Sequence, residues 1–142
     1  MLQQLIEVGE FNRFAGQDVT HVPRKISKSD FYLQYGLIDE ELKELKEAYD
    51  NDDYVEVLDA LVDIQYVLLG MVCRLGMQHE FEKGFEKVHE NNMTKIFDKD
   101  GNNITEFKTF VDSFGTERLK VGKPSSYEPV RLDLTFPYLK TL

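Results

Sequence analysis

Along roughly the first two-thirds of the chain, apolar residues recur three and four apart, the period of an amphipathic helix. Leu2, Leu5, Ile6, Phe11 and Phe14 form a stripe that predicts a first helix, ended by Gly16. Residues 17–28, with Pro23 and scattered polar positions, read as a loop. Ser29 is the expected N-cap of a second helix reaching about Tyr49, with Gly36 weakening its first half. Asp50-Asn51-Asp52-Asp53 reads as a turn. A third helix is predicted from about Tyr54 to Leu75, closed by Gly76 with Arg74 in its last turn. A fourth, carried by Phe81, Phe85 and Val88, is predicted from about Gln78 to Ile96. After Asp100-Gly101 the helical period is lost. Pro124, Pro129 and Pro137 then predict extended segments and turns, with room for one short hairpin. The expected fold is all-α: a single domain over 1–142, with a four-helix core over about 1–97 and an irregular tail over about 98–142.

The positions of the acids change this picture. On the second predicted helix, Ile38, Leu42, Leu45 and Tyr49 define the apolar stripe, and Glu40, Lys43, Lys46 and Glu47 lie on the far side. Glu41 falls inside the stripe, between Leu37, Leu45 and Ala48, with Glu44 at its edge. Residues three apart share a face, so these two acids are placed to act together. The third helix is apolar nearly all round, through Leu58, Leu61, Val62, Ile64, Val67 and Leu68, and is expected to be buried among other helices. Its acids Glu56, Asp59 and Asp63 nevertheless fall within an arc of roughly 60°. Two carboxylates about 5 Å apart repel by roughly 3 kcal/mol at an effective dielectric of about 20. Such a cluster takes up protons or binds cations. Hard oxygen ligands with no nearby Cys or paired His select Mg²⁺ or Mn²⁺ over zinc. Structural roles stand beside this reading: Glu56 in a capping box with Asp53, Glu41 and Glu44 paired with lysines, Asp63 bonded to a buried Tyr or His.

On the fourth helix Asn92 falls on the stripe of Phe81, Phe85 and Val88, and Lys95 lies about one turn beyond. An inward amide and ammonium suit a phosphate or sugar hydroxyl, or else place a favourable cation at a helix C-terminus. Other signals fail on their own terms. Glu86 and His89 supply one Glu-x-x-His where a di-iron bundle needs two. Asp98-Lys99-Asp100-Gly101 resembles a calcium loop but would put Ile96 first and Phe107 twelfth. Cys73, the one cysteine, sits within an apolar helix and reads as a core thiol.

A net charge of −9 argues against nucleic acid or an anionic membrane as partner, although bound metal reverses the sign of a site locally. No apolar run is long enough for a membrane span, and the N-terminus has no signal-peptide pattern. With a single cysteine, a reducing cytoplasmic setting is the expectation.

Glu40-Glu41-Leu42-Lys43-Glu44 followed by Glu56-Val57-Leu58-Asp59 resembles the E-E-x-x-E … E-x-x-D signature of the all-α nucleoside triphosphate pyrophosphohydrolases. That superfamily includes MazG, the dimeric dUTPases and phosphoribosyl-ATP pyrophosphohydrolase. The run from Asp59 to Gly70 is similar to the D-A-L-x-D-x-x-Y-V-x-x-G of short MazG-like proteins of phages and bacteria, and Val88 to Lys95 to their V-H-x-x-N-M-[ST]-K. Lys120-Val121-Gly122-Lys123-Pro124, with Tyr127 and Pro129, resembles their C-terminal tail, and Glu10 to Gln17 their opening motif. The resemblance implies an intertwined helical homodimer, or a dimer of dimers, with sites at or near the subunit interface. It implies hydrolysis of a nucleoside triphosphate between the α and β phosphates. It makes Glu41, Glu44, Glu56 and Asp59 ligands to Mg²⁺ (Mn²⁺ as the alternative) and Asp63 an additional acid. It makes Asn92 and Lys95 substrate contacts; charge adds that Glu41 or Glu44, unassigned between them, orients or deprotonates the water. A phage-encoded chain would work in the host cytoplasm. Three departures stand out: Asn12 where the motif has His, Gly122 before Lys123 in place of Lys-Gly, and a short interval between Glu44 and Glu56. A catalytically inactive metal- or nucleotide-binding regulator and a helical interaction module are the alternatives on the same fold.

Overall fold

The computed structural model describes residues 2–142. The chain divides into two compact units, one made of residues up to Glu82 together with Tyr138–Leu142, the other of Lys83–Pro137. It is mostly helical, with α1 over Gln3–Phe14, α2 over Lys28–Asp50, α3 over Tyr54–Leu75 and α4 over Gln78–Met93. Strands β1 (Phe107–Val111) and β2 (Glu117–Val121) and a four-residue helix α5 (Leu132–Thr135) follow. No helix among the described residues is long and apolar enough to cross a membrane.

In the first unit, α3 packs against both α1 and α2. Leu5 and Val8 of α1 meet Leu69, Val72 and Cys73 of α3, and Val19, Met77 and Phe81 close over them. Cys73 is fully buried, its thiol donating to the Leu5 carbonyl at 3.6 Å, so it is a core residue. Gly76 ends α3 in the left-handed conformation, φ +70°. The Met77 N–H reaches the Val72 carbonyl and the Gly76 N–H the Cys73 carbonyl, which satisfies the last turn. A Cβ at Gly76 would lie 2.2 Å from the Val22 carbonyl oxygen, so the 17–27 loop crosses where only glycine fits. Arg24 ties that loop down through the Leu75 and Arg74 carbonyls and through Asp18.

The helix starts and faces differ from expectation in two ways. Ser27, not Ser29, caps α2, its hydroxyl accepting from the Asp30 N–H at 3.0 Å. The α3 helix is not enclosed within the single chain: Leu58 is 63% and Val62 54% exposed. Among the described residues α1 and α2 are its main helical neighbours and Phe81 of α4 covers only its C-terminal end, so part of an all-apolar cylinder stays open.

In the second unit α4 ends at Met93, short of Ile96, and the chain turns through Asn91–Phe97 on hydrogen bonds three and four residues apart. Asp98 accepts from the Asp100 and Asn102 N–H groups, which makes 98–102 a tight polar turn. The hairpin pairs Phe107 with Val121 through Val111 with Glu117, antiparallel. Phe136, just after α5, is buried, and it and Leu132 approach the Cβ-free surface of Gly84.

Leu69 is 1% exposed at the centre of the first unit's core. Leu69→Ala is expected to destabilise the fold by about 2–5 kcal/mol in urea unfolding.

Candidate functional site

The α2–α3 hairpin is closed by a three-residue turn, Asn51–Asp53, whose backbone N–H groups are all bonded back to α2. Asp52 adopts φ +56°, a left-handed geometry that Asp tolerates better than most side chains. Its N–H bonds the Tyr49 carbonyl, and the Asp53 N–H bonds the Ala48 carbonyl. The Asp53 carboxylate caps α3 by accepting from the Glu56 N–H at 3.1 Å. Since the Asp53 N–H is already held by Ala48, it is not the partner of the Glu56 carboxylate, and the capping-box role proposed for that acid falls away.

This turn brings the acids of the two helices to one cleft of about 360 Å³. Glu44 and Glu47 line it from α2, Glu56 and Asp59 from α3, with Asn51 and Asp53 at the turn. Buried Ala48 and Ala60 form its floor, small enough to let the helices approach. Glu47 belongs to the cleft, contrary to its expected place on the far side. It stands one turn beyond Glu44 and, although exposed, lines the cleft opposite the start of α3.

Glu41 and Asp63 lie one turn further along their helices and are half-buried. One Glu41 carboxylate oxygen, Oε2, is buried without a hydrogen-bond partner. Burial pushes the Glu41 pKa above the ordinary 4.5, and the charges of Glu44, Asp63, Glu40 and Asp59 push it the same way. Among the described residues no cation forms a salt bridge with Glu41, Glu44, Glu56, Asp59 or Asp63. The nearby lysines are spent on the outer face of α2, Lys43 on Asp39 at 2.6 Å and Lys46 on Asp50 at 2.5 Å. An orphaned buried carboxylate oxygen amid uncompensated carboxylates is the donor set a hard divalent cation fits. Among the described residues no three His, Cys, Asp or Glu side chains are arranged to hold a metal ion as they stand, and mutual repulsion favours that spread.

Asn92 and Lys95 lie in the second unit. Asn92 is exposed, as are Phe85 and Val88, so of the α4 stripe read as inward-facing Phe81 packs on the core cluster and the rest is open. The Lys95 Nζ donates to Asn92 Oδ1 at 2.8 Å and stands 5.2 Å from the centroid of the Tyr127 ring. Lys123 stands 5.7 Å from the same ring, and Asn91 donates to the Tyr127 hydroxyl at 2.9 Å. The two lysines, the asparagines and the tyrosine thus form one positively charged cluster.

Sequence reasoning passed over one pair. Asn12 of α1 and Gln34 of α2 are 5% and 3% exposed and flank Gly70. A Cβ there would lie 3.1 Å from Gln34 Nε2 and 3.6 Å from Asn12 Nδ2, and the Asn12 nitrogen has no partner. The signal was present: Asn12 continues the buried row of Leu5 and Val8, and Gln34 stands two turns before Glu41 on the same face.

Among known proteins, a family model described as Phosphoribosyl-ATP pyrophosphohydrolase matches residues 8–92, from within α1 to near the end of α4. No curated protein matches the chain.

A raised carboxyl pKa in the folded state contributes stability below the unfolded value that is lost as pH rises through the folded value. In EDTA at neutral pH, Glu41→Gln is therefore expected to melt a few degrees above the unsubstituted protein. The gap should close on acidification below pH 4.5, read by thermal unfolding across pH. A Glu41→Gln protein melting lower at neutral pH would show that the charged form is stabilised instead.

Proposed function

The chain belongs to the phosphoribosyl-ATP pyrophosphohydrolase family, within the MazG-like superfamily, and from that premise we propose that it hydrolyses a nucleoside triphosphate between its α and β phosphates. The products are a nucleoside monophosphate and pyrophosphate. Membership carries pyrophosphohydrolase activity on a nucleotide-like substrate; the triphosphate and the metal dependence belong to this proposal.

One observation carries it: the unpartnered, buried Glu41 oxygen with its pKa raised by burial and by Glu44, Asp63 and Asp59. In this reading Glu41, Glu44, Glu56 and Asp59 hold Mg²⁺, with Mn²⁺ as an alternative, and Asp63 is the additional acid. Bound there, the ion supplies positive charge against phosphate oxygens and acidifies water. Glu41 or Glu44 orients the attacking water and takes its proton as oxygen bonds to the α-phosphorus and pyrophosphate departs. Lys95 donates to phosphate oxygens, where added positive charge lowers the barrier most, and Asn92 bonds sugar or phosphate.

Homodimerisation, or a dimer of dimers, is part of the same proposal. Leu58, Leu61 and Val62 on α3, Leu42 on α2 and Phe85 on α4 are each at least half exposed in the single chain. A second copy of the chain supplies matching apolar surface for them.

Purified protein should release pyrophosphate and a monophosphate from a panel of dNTPs, NTPs and phosphoribosyl-ATP with Mg²⁺, and release neither in EDTA. Orthophosphate with a diphosphate would place the cleaved bond elsewhere. No turnover despite bound Mg²⁺ would favour the regulator reading. Glu56→Gln should lower turnover by roughly 100-fold or more while the fold and oligomer persist; loss of the oligomer instead would favour the interaction module. In light scattering, the protein should run as a dimer or tetramer, and Leu61→Asp should shift it toward monomer.

A further inference from the structure

The second unit holds two ammonium groups on one aromatic ring, and the chain around that ring is firmly placed. Past β2, the Gly122 N–H bonds the Glu106 carbonyl at 2.6 Å and extends the hairpin ladder by one step. Lys123 follows. Pro124, which is buried, then opens a four-residue turn closed by the Tyr127 N–H on the Pro124 carbonyl at 2.9 Å. The Tyr127 hydroxyl accepts from Asn91 Nδ2 of α4, also at 2.9 Å. Half-buried Tyr127 is thus held at its backbone and at its hydroxyl.

Lys95 reaches the ring from the turn after α4, its Nζ 5.2 Å from the centroid and donating to Asn92 Oδ1 at 2.8 Å. Lys123 reaches it from the tail, its Nζ at 5.7 Å. A ring face holds an ammonium without neutralising it. Other lysines of the helices are neutralised: Lys43, Lys46, Lys83 and Lys87 each pair with a carboxylate. Among the described residues no carboxylate forms an ion pair with Lys95 or Lys123. Two like charges gathered on one ring repel, and an anion set against both removes that cost. Lysine serves phosphate oxygens as such a point charge.

We propose that Lys123 is a second contact to the substrate's phosphate chain, paired with Lys95, and that Tyr127 is the positioning residue that holds both ammoniums. The assignment rests on the pyrophosphohydrolase reading, which puts Lys95 on phosphate, and adds two tail residues beyond the matched span of 8–92. Lys123 meets phosphates that are present before any bond breaks, so it contributes to holding the substrate rather than to the chemical step. Tyr127 touches no reacting atom and acts through the two lysines.

The first arm of the test uses the full chain in EDTA with inorganic tripolyphosphate, so it depends on neither metal nor turnover. The Lys95 and Lys123 Cε–H signals, displaced by the ring current of Tyr127, should both move saturably as tripolyphosphate is added. Lys123→Gln, an exposed substitution, should weaken this binding about tenfold with an unchanged melting temperature. Lys120→Gln controls for diffuse charge: Lys120 stands 5.4 Å from a different ring, that of Phe110, and its loss should cost less than about threefold. Tyr127→Leu should weaken binding about tenfold, and Tyr127→Phe, which keeps the ring, should stay within about threefold of the unsubstituted protein. Equal losses from Lys120→Gln and Lys123→Gln, or tripolyphosphate that leaves either lysine unmoved, would overturn the proposal. A Tyr127→Leu protein that melts lower but binds as before would reduce Tyr127 to packing and overturn its role.

The second arm measures turnover with Mg²⁺ and the fastest nucleotide of the panel. Lys123→Gln should raise KM about tenfold with kcat little changed. Turnover with KM unmoved in Lys123→Gln would sink the lysine pair and leave the proposed reaction standing. Tripolyphosphate held through Lys123 by a protein that turns over no nucleotide would support the pair and sink the reaction.

Discussion

The arrangement of the acidic cleft depends on how α2 is turned into α3. Asp52 in its left-handed conformation and the two hydrogen bonds back to Tyr49 and Ala48 end one helix, and the Asp53 carboxylate starts the next. The turn has no free residue in which to slip. Because the two helices run antiparallel from this fixed point, the rows Glu41–Glu44–Glu47 and Glu56–Asp59–Asp63 are brought side by side. A shift of one residue at the turn would rotate α3 by about 100° and carry its acids out of the cleft.

Such a hairpin is held against its own electrostatics. Like charges on facing helices oppose close packing, and the first unit's hydrophobic cluster lies at the other end of α3, around Leu69, Val72 and Cys73. The acidic end has only Ala48 and Ala60 buried beneath it. Stability and charge are thus separated along one helix, with the packed end anchoring the repulsive one. This division is common where a binding site needs groups that the fold alone does not favour.

The two charge classes also occupy separate places. The second unit gathers Lys95 and Lys123 over Tyr127, while Arg13 and His21 stand together in the first. A chain with net charge −9 therefore carries locally basic clusters, which overall charge conceals.

Spacing alone determined much of this. The α3 boundaries, its Gly76 stop, the turn after Asp50 and the shared face of Glu56, Asp59 and Asp63 are local consequences of helical period and of residues with special backbone or capping chemistry. What spacing does not encode is which face of a helix finds a neighbour. Glu47 entered the cleft and Phe85, Val88 and Asn92 remained open because partners in space, not positions on a helical wheel, decide burial. Ser27 displaced Ser29 as a cap because its hydroxyl reaches the Asp30 N–H, a choice between two serines that propensity leaves even. The placing of Asn12 and Gln34 on either side of Gly70, and of Arg13 beside His21, gathers side chains that are distant in sequence or whose meeting depends on loop path. Only tertiary packing brings such groups together, since hydrogen bonding and desolvation act over a few ångströms whatever the separation along the chain.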